Sequence, residues 1–228
     1  MERSLERLRQ AVEQSKEDYI HKLDSQWLAT VNDQYRGHSI KEIFGGSIKN
    51  PDPDGPETIN VDAGWDGSLS DADVNKLADY IEEPTQFLII QGPSGTGKST
   101  LAATIGRKLV HELEISAAFI NSVTLINEFS FRNEHEDPVK HFASFGLLVI
   151  DDLGAVNEAL TPHQQKALWN LIESRWSKTN KLTIITTNMA IQTSNSQGLG
   201  LSSWIGESGW DRISSSLTRV NATGESFR

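Results

Sequence analysis

The chain has no cysteine among its 228 residues. Disulfides and thiolate metal sites are therefore excluded, and a reducing interior is the default environment. It also lacks any apolar run near the roughly 20 residues that span a bilayer. The opening stretch MERSLERLRQ has no apolar core of the kind a secretory signal needs. These absences predict a cytoplasmic protein with no membrane partner. An excess of basic charge is missing too. The net charge is −10, which argues against broad, sequence-neutral adhesion to nucleic acid. The charge is uneven: residues 1–84 carry 9 Lys/Arg against 18 Asp/Glu, residues 85–162 carry 5 against 9, and residues 163–228 carry 7 against 4. This balance leaves room for a local basic strip near the C-terminal end.

What is present is a chain sized for one domain and an appendage. In the first 35 residues, Leu5, Leu8, Val12, Tyr19, Leu23, Trp27 and Val31 recur mostly at steps of 3, 4 or 7, with Lys16 interrupting. That spacing predicts one face of a helix. Such a face either packs on the chain's own core or docks another protein. Residues 45–68 are dense in Gly, Pro and Asp and read as a linker. The organisation expected is a helical docking segment over 1–44, a linker over 45–69, and the main folded domain over 70–228.

From Ser70 onward, helices and short apolar strands alternate. Ser70 and Asp73 form a helix-start signal. Strands are predicted at 86–91, 116–122, 146–153, 181–188 and 216–220, and helices at about 98–114, 122–131 and from Thr161-Pro162. Strands buried on both faces and separated by helices predict an α/β fold with a parallel sheet flanked by helices.

Gly92-Pro93-Ser94-Gly95-Thr96-Gly97-Lys98-Ser99 satisfies G-x-x-x-x-G-K-[ST] at every fixed position and lies between a predicted strand and helix. This P-loop turns its backbone N–H groups, with Thr100 just beyond, toward phosphate oxygens, and the helix start adds positive potential. Lys98 is expected at the β- and γ-phosphates, and the Ser99 hydroxyl on Mg²⁺. The run LLVIDDLGA delivers Asp151 and Asp152 at the carboxyl end of a strand, where open α/β sheets bind ligands. Asp151 is the predicted second Mg²⁺ ligand, and Asp152 the group that orients or deprotonates water. Asn188 ends the next strand and is a candidate for holding that water or touching the γ-phosphate. No N/T-K-x-D guanine-reading motif is present, and no arginine-rich lid of a small-molecule kinase is seen.

Together, FLIIQGPSGTGKSTLAATI, LLVIDDLGA, TIITTN, WDRI and the terminal GESFR resemble the AAA+ helicase loaders of the DnaC/DnaI type and the related IstB-like transposition ATPases, over about residues 60–228. That resemblance implies an AAA+ P-loop NTPase without a C-terminal helical lid, using ATP and Mg²⁺. It implies slow hydrolysis that depends on head-to-tail self-association. It makes Arg212, expected at the head of a helix-like stretch, an arginine finger acting on ATP held by the next subunit, with Arg219 in reserve. Asp152 departs from the glutamate usual in AAA+ proteins.

The resemblance also implies a replicative hexameric helicase as partner, docked through residues 1–44, and single-stranded DNA contact through Phe129, Phe131 and Arg132. The adenine would lie near residues 60–66. A helicase loader is the leading reading. An IstB-like ATPase on duplex DNA that recruits a transposase, and a nucleotide switch with little hydrolysis, are the alternatives.

Overall fold

The computed structural model describes residues 2–34, 69–130, 137–155, 160–191 and 200–223, and within the first helix the side chains of 12–31. Helix α1 (Glu2–Gln34) comes first, then α2 (Asp71–Glu82), β1 (Phe87–Gln91), α3 (Lys98–Leu113), β2 (Ala117–Asn121), α4 (Ser122–Ser130), α5 (Pro138–Ser144), β3 (Leu147–Asp151), α6 (Pro162–Trp176), β4 (Leu182–Thr187), α7 (Leu201–Ile205), α8 (Glu207–Ser214) and β5 (Leu217–Asn221). The five strands form one sheet in the order β2-β3-β4-β1-β5, with every pairing parallel.

Strand residues alternate between two cores. Leu88, Ile90, Phe119, Leu147, Val149, Ile184 and Val220 pack with α1, α2 and α3 on one face. Phe87, Ile89, Ile120, Leu148, Ile150 and Ile185 pack with α4, α6, α7 and α8 on the other. A strand buried on both faces reads as a continuous apolar run, which is why these strands were legible.

Local signals fix the helix starts. The Ser70 hydroxyl accepts from Asp73 N at 3.2 Å, and Thr161 and Gln164 form a reciprocal capping box ahead of Pro162. Arg175, in the last turn of α6, is buried. It donates to Thr183 Oγ1 and to the carbonyls of Phe142, Phe145, Gly146 and Leu182. It thereby pins α5, α6, β3 and β4 together at the amino end of the sheet. Burial lowers its pKa to about 9, so it remains charged at neutral pH.

The apolar stripe of α1 divides. Leu23, Trp27 and Val31 are core residues, whereas Val12 and Tyr19 are exposed, at 64% and 50%. Trp27 meets Phe119 edge-on at 5.8 Å and fills the notch left by Gly106, where a Cβ would stand 2.6 Å from Trp27 Cζ2. Asp24 receives Arg107 Nε and Nη2 at 2.8 and 2.7 Å and pairs with His111 Nε2 at 3.0 Å. Burial alone would raise the Asp24 carboxyl, but the His111 and Arg107 hydrogen bonds and the Arg107 charge outweigh it and hold its pKa well below the usual range. Thr30 Oγ1 accepts from Phe119 N at 3.1 Å, so α1 also covers the outer edge of β2. The linker expected over 45–69 lies outside the described residues, apart from Leu69. No helix among the described residues is long and apolar enough to cross a membrane.

Candidate nucleotide site

The phosphate-loop sequence leaves β1 at Gln91 and enters α3 at Lys98. Gly92 N donates to Thr187 O at 3.1 Å, tying the loop to the end of β4. A Cβ at Gly92 would sit 2.1 Å from Ala222 O, so only glycine permits this passage beside the end of β5. Gly95 and Gly97 adopt φ of 86° and 76°, the left-handed region that favours glycine. Thr96 Oγ1 donates to Pro93 O at 3.0 Å and braces the turn from inside. Lys98 is buried, and its Nζ donates to Pro93 O at 2.7 Å, so the ammonium lies across the loop. Pro93 and Ser94 are exposed, and Ser99 and Thr100 half-buried. A curled loop of this kind, closing on the positive end of a 16-residue helix, is a cradle for phosphate.

Two strands away, β3 ends at the buried Asp151. Thr186 Oγ1 donates to Asp151 Oδ1 at 2.6 Å and accepts from Asp152 N at 2.8 Å. Asp152 stands just beyond the strand at φ 55°, a left-handed conformation that aspartate tolerates better than most residues. Its carbonyl accepts from Ser122 Oγ at 2.6 Å. Asn188 follows β4 and is exposed. The parallel register sets Gln91 beside Thr187 and Ile150 beside Ile185. Lys98, Ser99, Asp151, Asp152 and Asn188 therefore gather at the carboxyl edge of β1, β4 and β3.

The donor set suits a nucleotide with a hard cation. Ser99 and Asp151 offer oxygens only, and no group of three or more His, Cys, Asp or Glu that could hold a metal exists among the described residues. Mg²⁺ needs no such cage, since it takes one or two protein oxygens and completes its shell with phosphate and water.

Arg212 is not in this gathering. It lies in the last turn of α8, so the Asp211–Arg212 pair closes a helix rather than heading one. Gly206, at φ 92°, separates α7 from α8 and starts the helix before the pair, and the Leu217–Asn221 stretch that follows joins the sheet as β5 beside β1. Arg212 Cζ lies 4.6 Å from the Trp176 ring centroid. Trp176 O and Lys178 O accept from Gln86 Nε2, immediately before β1. Arg212 thus sits near the amino edge of the sheet, one strand length, or about 15 Å, from the phosphate loop. Arg219 lies on β5, its Nη2 donating to Gln91 Oε1 at 2.6 Å.

The expected single-strand contact through Phe129 is corrected. Phe129 is buried in the core beneath α4, and a ring enclosed on all sides cannot stack on a base. Phe131, Arg132, residues 60–66 and the terminal GESFR lie outside the described residues. Sequence reasoning also missed Thr186. Its signal was a hydroxyl within an apolar strand, but its role depends on which strands are neighbours.

Comparison with known proteins agrees with this fold. The family of IstB-like ATP binding proteins matches residues 61–228. The crystal structure of the DnaC helicase loader superposes with a TM-score of 0.55 at 24% identity, covering 68% of this chain and 93% of that one. DnaI superposes at 0.51 with 19% identity, covering 68% and 82%. The replication initiator DnaA bound to AMPPCP and single-stranded DNA gives 0.51 at 14% identity, covering 68% and 47%. At these identities the structures share the fold. No curated protein matches the chain.

Proposed function

Since this chain belongs to the IstB-like ATP-binding family, with the AAA+ fold of the DnaC and DnaI structures, we propose that it is an assembly-dependent ATPase that loads a replicative helicase onto DNA. The observation that carries the ATPase reading is the separation just described. Lys98, Ser99, Asp151, Asp152 and Asn188 share one edge of the sheet, while Arg212 stands near the other.

In this reading, the loop from Gly92 to Thr100 holds the triphosphate through backbone N–H groups, and Lys98 exchanges Pro93 O for phosphate oxygens. Ser99 and Asp151 would hold Mg²⁺, which would supply positive charge to a bound triphosphate. Asp152 orients and deprotonates the attacking water, assisted by the Asn188 amide. Arg212 of a neighbouring copy stabilises the charge that builds on the transferring phosphoryl group. The shared active site makes contact head-to-tail, which generates rings or filaments.

Support for the loader role comes from α1. Val12 and Tyr19 remain exposed on a helix whose later residues are locked into the core, and the acidic balance of residues 1–84 suits protein docking better than wrapping duplex DNA. The family match favours a second reading, in which ATP-bound copies form filaments on duplex DNA and recruit a transposase.

The deciding experiment is the mass of the complex with the replicative helicase of the same cell, with and without ATP. It is to be repeated with Val12→Arg and Tyr19→Arg, since removing all of α1 would also remove Trp27 from the core. A complex lost in these variants supports the loader. No complex, together with ATP-dependent filaments on duplex DNA, moves the protein to the transposition role.

A further inference from the structure

Arg212 is held twice by its own chain. Its Nε donates to Glu173 Oε2 at 2.8 Å, and its guanidinium carbon stands over the Trp176 ring. Glu173 and Trp176 are three apart on α6 and so share one face. Trp176 is itself fixed: its Nε1 donates to Ser215 Oγ at 2.9 Å, and Ser215 Oγ donates to Arg212 O at 2.7 Å. The contacts close a ring that runs from Arg212 through Trp176 and Ser215 back to the Arg212 carbonyl. Gly209 lets α8 fold back against α7: a Cβ there would stand 2.7 Å from Ile205 Cγ2, whereas the nearest α6 atoms, Ile172 Cδ1 and Trp169 Cδ1, would lie at an ordinary 3.6 and 3.8 Å.

The way the ion pair is made is informative. Glu173 engages only Nε, the inner donor. A carboxylate pairing with Arg mainly for strength commonly binds it bidentately, as Asp24 binds Arg107 through Nε and Nη2. Here both terminal amino groups make no hydrogen bond among the described residues. The side chains of the pair are 36% and 33% exposed, so the bridge adds little to stability. Its effect is to fix the plane and direction of one guanidinium while leaving the tip to bind something else.

We infer that Glu173 and Trp176 are positioning residues that orient Arg212 Nη1 and Nη2 toward the γ-phosphate of a nucleotide bound by a second copy of this chain. The inference rests on the trans-arginine reading above and adds the residues that aim the finger.

The test uses mixtures of full-length subunits. Asp152→Asn supplies a finger but hydrolyses nothing; asparagine is isosteric and tolerates the left-handed backbone. Arg212→Ala binds ATP but lacks a finger. Mixed, the two are expected to recover hydrolysis. Glu173→Gln placed on the Asp152→Asn subunit should then cut kcat about 10- to 100-fold, the scale of a misplaced catalytic group, with KM for ATP unmoved. Placed on the Arg212→Ala subunit, it should leave the mixture as active as before. Trp176→Ala on the finger-donating subunit should behave like Glu173→Gln, and Trp176→Phe should retain most activity. Equal loss whichever subunit carries Glu173→Gln would show a general structural role and overturn the inference. A gain in rate would overturn it as well, since the ion pair would then be restraining the finger. A mixture that is silent before Glu173 is touched overturns the trans reading and the inference together.

Discussion

Thr186 Oγ1 donates to Asp151 Oδ1 at 2.6 Å, and the same oxygen accepts from the backbone of Asp152. One hydroxyl, enclosed in the sheet, therefore sets both acidic groups at the end of β3. Thr186→Val keeps the shape and removes the bridge. The part-buried Asp152 N–H and the buried Asp151 carboxylate each lose a partner, which should cost about 1–3 kcal/mol of stability, read from urea unfolding. Hydrolysis should fall at least tenfold, and Thr186→Ser should restore most of it.

Lys98→Ala and Arg212→Ala should fail in different ways. Without Lys98, binding of a fluorescent ATP analogue should be lost or severely weakened. Without Arg212, nucleotide binding should persist while kcat falls by roughly 10³-fold or more, the range of arginine fingers. An Arg212→Ala protein that hydrolyses ATP normally would remove the finger from this residue.

Gly106 offers a test with an unusual sign. Within an exposed helix, Gly→Ala stabilises by about 0.5–1 kcal/mol. At Gly106 the new methyl would press on the Trp27 ring. Gly106→Ala should instead lower the melting temperature, and Gly106→Val should free α1 to limited proteolysis.

The Asp24 cluster predicts a pH dependence. Its folded-state carboxyl ionises at lower pH than the unfolded one, which titrates near about 3.9. The stabilisation that the ionised Asp24 carboxylate gains from Arg107 is therefore present above about pH 5 and is lost progressively as the pH falls below about 4. Asp24→Asn should cost about 1.5–3 kcal/mol at pH 7. The gap from the unaltered protein should narrow on acidification, as followed by thermal melts at successive pH values.

Much of the fold was legible because its strands are enclosed on both faces. LLVID and LTIITT are near-continuous apolar or β-branched runs, and no helix face reads that way. The phosphate loop was legible because its chemistry is local: spacing alone sets glycine, lysine and serine in order. What escaped is non-local. Thr186 matters only once β4 is known to lie between β1 and β3. Phe129 could be told from a stacking platform only when α4 was seen to lie on the sheet. The stripe on α1, interrupted at Lys16, was read as one face that either packs or docks, yet it divides, with Leu23 to Val31 over α3 and β2 and Val12 and Tyr19 left exposed. The short α5 and the true start of α8 were also missed, being too brief to establish a period.

The contact between Thr30 and Phe119 has a consequence for how the chain is made. A strand at the margin of a sheet offers unpaired N–H and C=O groups to any other chain nearby, which is a route to aggregates. The hydroxyl that shields Phe119 leaves the ribosome almost ninety residues earlier. The cover is thus synthesised before the edge it protects, at a stage when domains are still assembling in order from the amino end. A nascent β2 meets its own α1 at the high local concentration of a tethered partner, ahead of any stranger.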